Sequence, residues 1–495
     1  MYVLLRAHDS GINGDVNRLI FRLCGRALFL VLPGLFYAPA RANAQGGAGI
    51  PLEHFIYIIQ ENHSFDNYFG TFPDANGIPA GLKLSDYPGG PLVEKPFRSE
   101  RPAVPHDFAH IWQSAAICYD NGAMDGFLWA STYQGSAYYA AKDGIVAPTP
   151  NPNLVQIVKK KKRVHPNADK EINEVLSPGG VADDEDENGI GIEEQNEALA
   201  AAHVGKSGPP SVPSWAHYVL GYYDNTVIPN YWQYARKFTL CDAFFSALRG
   251  PSRPNHLYTV AAQSGGLVED LPPNETAIYS FPTMVDLFGQ ANVTWKYYVG
   301  FLPKVESFRN PLPGFTQISS NPELMSHLVA NTEFYKDLKE NTLPQVCWIT
   351  PNIELSEHPP YNSQKGMWYV TDLVNAVMKS NYWQNSVIII VWDDYGGFYD
   401  HVVPPNVDEY GYGFRVPALV ISPYSLSGVV VHTTYDLTSP LKLIETKFGL
   451  PSLTARDGAS NTMLECFDFT QTPLPPVIIN KDTKVDFSDL PTRTP

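Results

Sequence analysis

The chain has 495 residues, of which 44% are hydrophobic and 17% are charged. This length exceeds one small core, so one large α/β domain with insertions, or two domains, is expected. The formal charge is −16 at pH 7, which argues against a nucleic-acid partner, because such binding needs a basic face. A phosphate substrate is not excluded, since a metal ion can supply local positive charge.

The first 44 residues are typical of a secretory signal peptide. Arg18, Arg22 and Arg26 form a basic region, an apolar stretch follows, and small residues at 42 and 44 fit signal cleavage. The apolar stretch is too short and interrupted for a good membrane span, and a retained signal anchor is the alternative. We therefore expect a secreted or periplasmic protein whose mature chain, residues 45–495, has a formal charge of −19, because residues 1–44 carry five Arg and two Asp.

Four cysteines remain after the signal peptide, and they are widely spaced. Cys118, Cys241, Cys347 and Cys466 form no C-x-x-C pair, which argues against a zinc cluster. In an exported protein, one or two disulfides in any of three complete pairings are possible. Buried free thiols are an equal alternative.

The first predicted strand of the mature chain is His54–Gln60, an apolar run. Glu61 and Asn62 follow it directly and offer oxygen ligands, which suit a hard cation. The alternative is that Asn62 or Ser64 only caps a short helix.

Two histidines precede a helix predicted near Ile111–Ile117. His106 and His110 are four positions apart, a spacing that places two metal ligands on one helix face. No Glu lies between them in the zincin arrangement, so the match is weak. A structural or solvent-facing role is the preferred interpretation for His110.

Two segments lack the patterns of packed structure. Residues 143–212 contain a basic run at 159–163 and an acidic run at 183–187 with poor hydrophobic periodicity, so they are predicted to form a mobile, charged surface insertion. Residues 471–495 are Pro-rich and are predicted to wrap the surface.

Ser252 lies at a predicted turn between loop and helix. Gly250-Pro251 forces the turn, Ser252 is well placed as the N-cap, and a helix is predicted through His256–Gln263. The free N–H groups at that helix end favour an anion. A serine close to a metal can lose its proton and attack phosphorus, whereas capping alone is the alternative.

Two further strands end in polar clusters. Val346–Thr350 precedes the segment that contains His358, and Val387–Trp392 precedes Asp393 and Asp394. Two adjacent carboxylates repel each other unless a cation or a shared proton holds them. The other predicted elements are strands Val293–Val299 and Ala418–Ser422 and helices Glu333–Leu338, 366–379 and Thr438–Phe448.

Polar clusters thus follow four apolar runs or turns, at residues 61–66, 252, 352–358 and 393–401. In open α/β sheets, ligands bind beyond the carboxyl ends of the strands. The sequence therefore predicts one site, at those ends, that holds a hard divalent cation.

Several motifs occur together in one order. They are E-N-H-S-F-D-N-Y-F-G, H-D near 106, G-P-S-R-P-N-H-L-Y, S-E-H-P-P, D-D-Y-G-G-F-Y-D-H-V and F-R-V-P-A-L-V-I-S-P. From about Pro51 to Phe469, apart from the charged insertion, the chain resembles the bacterial phospholipase C and acid phosphatase family of phosphoesterases. The resemblance implies an alkaline-phosphatase-like α/β fold, a three-layer α/β/α arrangement with a mostly parallel central sheet.

The resemblance also implies roles for particular residues. The matches to metal ligands are Glu61, Asn62, Asp393, Asp394 and the hydroxyl of Ser252. Ser252 matches the nucleophile, which is Thr in many phospholipase members and Ser in the acid phosphatase. His358 matches a proton donor or phosphate contact, and His106, Asn255 and His401 are candidate substrate-binding residues. His256 stands where many members have Arg.

The activity implied is metal-dependent hydrolysis of phosphate esters, with one divalent metal ion, Ca²⁺, as cofactor. The chain ends before the C-terminal β domains that phospholipase members often carry, which favours phosphomonoesters as substrates. The alternative is a phospholipase C-type phosphodiesterase acting on phosphatidylcholine-like lipids, with transient contact to a membrane surface. Other rivals are a binding protein on a decayed hydrolase fold and a sulfatase, whose C/S-x-P-x-R motif fails here at His256.

Overall fold

The computed structural model describes residues 49–159, 209–272 and 274–480, together with residues 47 and 487. The predicted signal peptide, residues 1–44, lies outside the described residues, as do residues 160–208 of the predicted insertion. Among the helices that are described, none has the length and apolar character needed to cross a bilayer.

The strands follow the chain in this order: β1 (His54–Gln60), β2 (Phe97–Arg98), β3 (Val155–Lys159), β4 (Gly221–Tyr222), β5 (Thr239–Cys241), β6 (Phe244–Phe245), β7 (Glu275–Tyr279), β8 (Trp295–Val299), β9 (Leu328–Ala330), β10 (Val346–Thr350), β11 (Ser386–Trp392), β12 (Ala418–Ile421), β13 (Val429–Val431) and β14 (Tyr435–Asp436).

A large sheet of eight described strands has the order β13-β5-β12-β11-β1-β10-β8-β9. Every neighbouring pair is parallel except those made by β12, which runs antiparallel to β11 and β5. All residues of β10 and β11 are buried, which explains why both read as unbroken apolar runs rather than alternating patterns. The mostly parallel sheet of the predicted α/β/α fold is confirmed.

Helices fill the connections between the strands. Their bounds are Phe65–Phe69, Trp112–Tyr119, Tyr133–Asp143, Pro229–Lys237, Ser252–Ala261, Met284–Ala291, Thr316–Ser319, Pro322–Ser326, Thr332–Glu340, Ser363–Met378, Ser439–Phe448 and Ala455–Ala459. The predicted stop at Gly449 holds, because this glycine has a φ of 65°, the left-handed conformation that ends a helix.

The described parts of the two segments without clear patterns contain more order than their sequences suggest. Within the predicted insertion, β3 pairs antiparallel with β7, so this part is fastened to the domain. In the Pro-rich tail, the Asn375 side chain donates to the carbonyl of Ile479 at 2.7 Å, and Trp383 Nε1 donates to that of Leu474 at 3.2 Å.

Candidate active site

The register of the central strands brings two acidic segments together. β1 and β11 are parallel neighbours, and their last residues, Gln60 and Trp392, are paired. Glu61-Asn62 and Asp393-Asp394 therefore leave the sheet side by side. The Asn62 backbone N–H donates to Asp393 Oδ1 at 3.0 Å, which locks the two ends together.

The turn after Asp394 allows this close approach because it contains Gly396. Gly396 has a φ of 56°, and a Cβ atom added there would lie 2.3 Å from the backbone oxygen of Asn62. The Gly396 N–H donates to Asp394 Oδ1 at 2.7 Å. Only a residue without a side chain fits this position, so the glycine permits the two segments to meet.

Ser252 is the first residue of the helix Ser252–Ala261. The sequence predicts Ser252 as the N-cap of this helix, and that prediction is wrong. Pro251 occupies the cap position and the serine is the first helical residue. Its Oγ therefore points away from the helix and lies 3.1 Å from Glu61 Oε2, 3.2 Å from Asn62 Oδ1 and 3.3 Å from Asp394 Oδ2. The hydroxyl donates toward a ring of oxygens instead of toward the helix backbone.

The oxygens around Ser252 form a set that lacks a positive charge of its own. Burial and the nearby Glu61 carboxylate raise the pKa of Asp393 to about 7, and burial and Asp393 raise the pKa of Asp394. Asp393 Oδ2 is buried without a hydrogen-bond partner among the described residues. Three carboxylates, an amide oxygen and a hydroxyl are ligands that hard divalent cations take. The residues present thus fit a divalent cation.

A buried imidazole holds the Glu61 carboxylate. His256 Nε2 lies 2.9 Å from Glu61 Oε1 and 3.6 Å from Asp393 Oδ2, and all three side chains are buried. Because a carboxylate only accepts, His256 donates, which fixes Glu61 with its other oxygen toward Ser252. Burial lowers the pKa of His256 to about 4, so the imidazole brings no full charge to this cluster near pH 7.

A second imidazole sets the orientation of the Asn62 amide. His110 Nδ1 lies 2.6 Å from the Phe108 carbonyl, which only accepts, so Nδ1 carries the proton. In the neutral ring Nε2 is then an acceptor, and it lies 3.2 Å from Asn62 Nδ2. The amide N–H₂ group faces His110, and Oδ1 consequently faces Ser252.

His358 lies at the edge of this group and is half-buried. Its ring centroid is 5.9 Å from that of His110, and its Nδ1 donates to the Pro359 carbonyl at 2.6 Å. Burial, together with His110, lowers the pKa of His358 to about 3. In the substrate-free protein the ring is therefore neutral near pH 7, and its Nε2 is a hydrogen-bond acceptor.

Comparison with known proteins identifies the family. Residues 52–148 and 158–451 match the pattern of the Phosphoesterase family. The chain belongs to the Phosphoesterase family. This phosphoesterase is 28% identical to Phospholipase C B of Mycobacterium tuberculosis, over 94% of this chain and 88% of that one. It is 24% identical to Non-specific phospholipase C4 of Arabidopsis thaliana, over 85% of this chain and 72% of that one.

Among solved structures, the phosphoesterase aligns with a protein in the alkaline phosphatase superfamily from Vibrio parahaemolyticus. The TM-score is 0.32 and the identity 12%, over 49% of this chain and 66% of that one. The family and the curated relatives place the chain among hydrolases that act on phosphoric ester bonds.

Among the described contacts, none joins the three predicted substrate-binding residues directly to Ser252 or to the four predicted metal ligands. His106 is exposed and packs against Trp215, with ring centroids 4.5 Å apart and ring planes tilted by 46°. Asn255 accepts from the backbone N–H groups of residues 247 and 248 and donates to the carbonyls of 250 and 251, so its amide holds the turn before Ser252. His401 bonds Asp66 at 2.7 Å and Asn76 at 3.2 Å through its two ring nitrogens.

Sequence reasoning missed two residues of the candidate site. The sequence favours a structural or solvent-facing role for His110, whereas its ring contacts Asn62. At His256 the sequence shows only a departure from the family pattern, whereas its ring contacts Glu61. The position of His256, one helical turn beyond Ser252, is the one available sequence signal.

Proposed function

We propose that this phosphoesterase hydrolyses phosphate esters with Ser252 as nucleophile and a divalent cation held by Glu61, Asn62, Asp393 and Asp394. The observation that carries the proposal is the position of Ser252 Oγ, which lies 3.1 to 3.3 Å from oxygens of three of these side chains. Such a buried acidic cluster is stable only with compensating positive charge. A nucleophile placed inside that cluster is what a metal-assisted displacement at phosphorus requires.

The reaction follows from the hydrogen bonds of Ser252. A bound cation supplies charge that lowers the pKa of the serine hydroxyl and offsets the charge on the phosphoryl oxygens. The hydroxyl proton lies toward the carboxylates of Glu61 and Asp394. Oγ attacks phosphorus, the bond between phosphorus and the ester oxygen breaks, and the released alcohol takes up a proton. Water then cleaves the phosphoseryl bond and regenerates Ser252.

His358 is the group that we propose holds that water by a hydrogen bond. Its Nδ1–H is fixed by the Pro359 carbonyl, so Nε2 has the free lone pair in the neutral ring. Because the lowered pKa keeps the ring neutral near pH 7, Nε2 can accept a hydrogen bond from the water. The roles that the resemblance implies for His358, proton donor or phosphate contact, stay predictions.

The comparisons favour a phosphodiester of the phospholipase C type as the substrate. Phospholipase C B of M. tuberculosis matches over 88% of its own length, so chain length does not set this protein apart from proteins of that name. The serine at position 252, by resemblance to the acid phosphatase, favours the second candidate, a phosphomonoester.

The cation and the location are further parts of the proposal. The ligands are all oxygen atoms, which favours Ca²⁺ over a softer metal. Residues 1–44 are proposed to direct export and to be removed. N-terminal sequencing of the protein recovered outside the cytoplasm tests this, and a retained residue 1 would contradict it.

Turnover of Ser252→Ala tests the nucleophile. We expect kcat to fall at least roughly 1000-fold, because the covalent step is lost. Ser252→Thr keeps a hydroxyl and should retain part of the activity, and Ser280→Ala, an exposed serine, should leave kcat unchanged. Wild-type turnover by a folded Ser252→Ala protein would remove the assignment.

A substrate panel tests the ester class. Turnover of p-nitrophenyl phosphorylcholine in preference to p-nitrophenyl phosphate would support the diesterase, and the reverse order would support the monoesterase. p-Nitrophenyl sulfate covers the sulfatase alternative, and hydrolysis of the sulfate alone would contradict the proposal.

A further inference from the structure

Two buried cysteines meet near the edge of the large sheet. Cys241 is the last residue of β5, and Cys466 ends the short 3-10 helix Leu464–Cys466. Their Sγ atoms lie 3.7 Å apart, and both side chains are fully buried although 225 positions separate them. We propose that this pair is a site of oxidative modification, at which a disulfide bond joins the C-terminal segment to the sheet.

The backbone around the pair is already held in place. The Cys466 carbonyl accepts from the Thr239 hydroxyl at 3.2 Å and from the Leu426 N–H at 2.9 Å. Thr239 lies two residues before Cys241 on the same strand, so these bonds fix the distance between the two cysteine backbones. A disulfide needs its sulfur atoms about 2.05 Å apart, so each sulfur would move by about 0.8 Å. Rotation of the side chains supplies a movement of that size.

The other two cysteines of the described chain have different neighbours. Cys118 Sγ lies 4.0 Å from the Tyr395 hydroxyl, and Cys347 Sγ lies 3.6 Å from the Pro344 carbonyl. All four cysteines are free and buried. The structure therefore favours a Cys241–Cys466 disulfide. It does not favour the second bond of that pairing, between Cys118 and Cys347, because the sulfur atoms of these two residues have other neighbours.

The oxidation is a thiol–disulfide exchange with a small-molecule disulfide such as oxidised glutathione. One cysteine thiolate attacks the glutathione disulfide, which forms a mixed disulfide and releases one glutathione thiolate. The other cysteine attacks the mixed disulfide, so the Cys241–Cys466 bond forms and the second glutathione leaves. The two protein thiol protons end on the two glutathione thiols, and the two electrons reduce the oxidant. Since both sulfurs are buried, the exchange requires local opening or takes place during folding.

The test uses the purified full chain incubated with oxidised glutathione in urea below its unfolding transition. Proteolysis without reduction, followed by mass spectrometry, should recover one cross-linked peptide pair containing Cys241 and Cys466, lighter by two hydrogens than the separate peptides. Cys118→Ala and Cys347→Ala should give the same cross-link, whereas Cys466→Ala should abolish it. Cross-links among other cysteines, or glutathione adducts on Cys241 and Cys466 without a cross-link, would overturn the proposal.

The thermal transition gives a second measurement. A bond that closes so long a loop restricts the unfolded chain, and we expect oxidised protein to melt roughly 3 to 8 °C higher than reduced protein. The reduced and oxidised Cys466→Ala proteins should melt at the same temperature. An oxidised wild-type protein that melts at or below the reduced one would overturn the proposal, because the native fold would then not accommodate the bond. Neither measurement depends on Ser252 or on the cation, so the disulfide and the proposed function stand or fall separately.

Discussion

His256 Nε2 lies 2.9 Å from Glu61 Oε1, and both side chains are completely buried. The other oxygen of Glu61 lies 3.1 Å from Ser252 Oγ. The His256 side chain therefore links the helix Ser252–Ala261 to the residue that follows β1. It also determines which oxygen of the Glu61 carboxylate faces Ser252, the proposed nucleophile. The contact makes His256 a positioning residue for the proposed cation site.

Removing the N–H group of His256 should weaken cation binding. His256→Phe keeps the ring shape but cannot donate, and we expect roughly 10- to 100-fold lower affinity for a divalent cation, as for other groups that hold a ligand in place. His256→Gln retains a donor and should bind nearly as tightly as the wild type. Titration calorimetry of metal-free protein with Ca²⁺ and Mn²⁺ measures this without substrate. Unchanged affinity in a folded His256→Phe protein would show that Glu61 is held by other contacts.

Metal removal should reverse the effect of Asp393→Asn on stability. Burial and Glu61 raise the pKa of Asp393 to about 7, so its ionised form is unfavourable at pH 8 when no cation is bound. We expect Asn to raise the free energy of unfolding by roughly 1 to 3 kcal/mol in chelator and to lower it in saturating cation. Calorimetric melting of both proteins under both conditions measures the crossover. The same sign of change in both conditions would contradict a cation site at Asp393.

The elements that sequence reasoning placed best are those dictated by local patterns. β1 and β10 have the predicted bounds, and β11 begins one residue earlier, because an unbroken apolar run flanked by polar residues has few other uses in a soluble domain. The convergence of residues 61–62 and 393–394 also followed, since the ends of neighbouring parallel strands share one edge of the sheet.

What sequence reasoning could not decide depends on contacts between distant segments. His106 and His110 are four positions apart, and their spacing does not tell which ring faces Asn62. The structure buries His110, because its Nδ1 bonds the Phe108 carbonyl, and leaves His106 exposed on Trp215. Likewise, the polar motif around His401 predicts a ligand site. The structure instead pairs the neighbouring carboxylates of Asp66 and Asp400 with Arg415, which lies 14 positions beyond His401 in the chain.

Glu357 should make stability depend on pH. Its carboxylate accepts from Tyr68, Tyr231, Gln60 and Trp392, yet burial raises its pKa from 4.5 to about 7. An acid with a raised folded-state pKa contributes stability below its unfolded pKa and loses that contribution as pH rises through the folded value. Between about pH 4.5 and 7, the wild type should therefore lose about 3 kcal/mol relative to Glu357→Gln, which cannot ionise.

Urea unfolding of both proteins at a series of pH values measures that difference. Other groups titrate in the same range, but they are common to both proteins and cancel in the comparison. Glu354→Gln, an exposed residue three positions earlier, is the matched control and should follow the wild type. A difference between wild type and Glu357→Gln that does not change with pH would mean that Glu357 has the same pKa in the folded and unfolded chains.

Arg415 should be a costly ion-pair residue to replace. It is fully buried, with Nε 2.8 Å from Asp400 Oδ1 and Nη2 3.0 Å from Asp66 Oδ1, and it also donates to the carbonyls of residues 76 and 242. Arg415→Met leaves two buried carboxylates without their cation, and we expect the free energy of unfolding to fall by about 3 to 5 kcal/mol. Chemical denaturation monitored by fluorescence measures this loss.

The matched control for Arg415 is Arg98, whose pairs with Asp224 and Glu100 are partly exposed. Arg98→Met should cost at most about 1 kcal/mol, because water screens those charges. If uncompensated charge causes the loss at Arg415, then adding Asp66→Asn and Asp400→Asn to Arg415→Met should restore part of the stability. A triple variant less stable than Arg415→Met alone would instead assign the loss to hydrogen bonds of the two carboxylates, such as those from the Asp66 and Val402 N–H groups to Asp400.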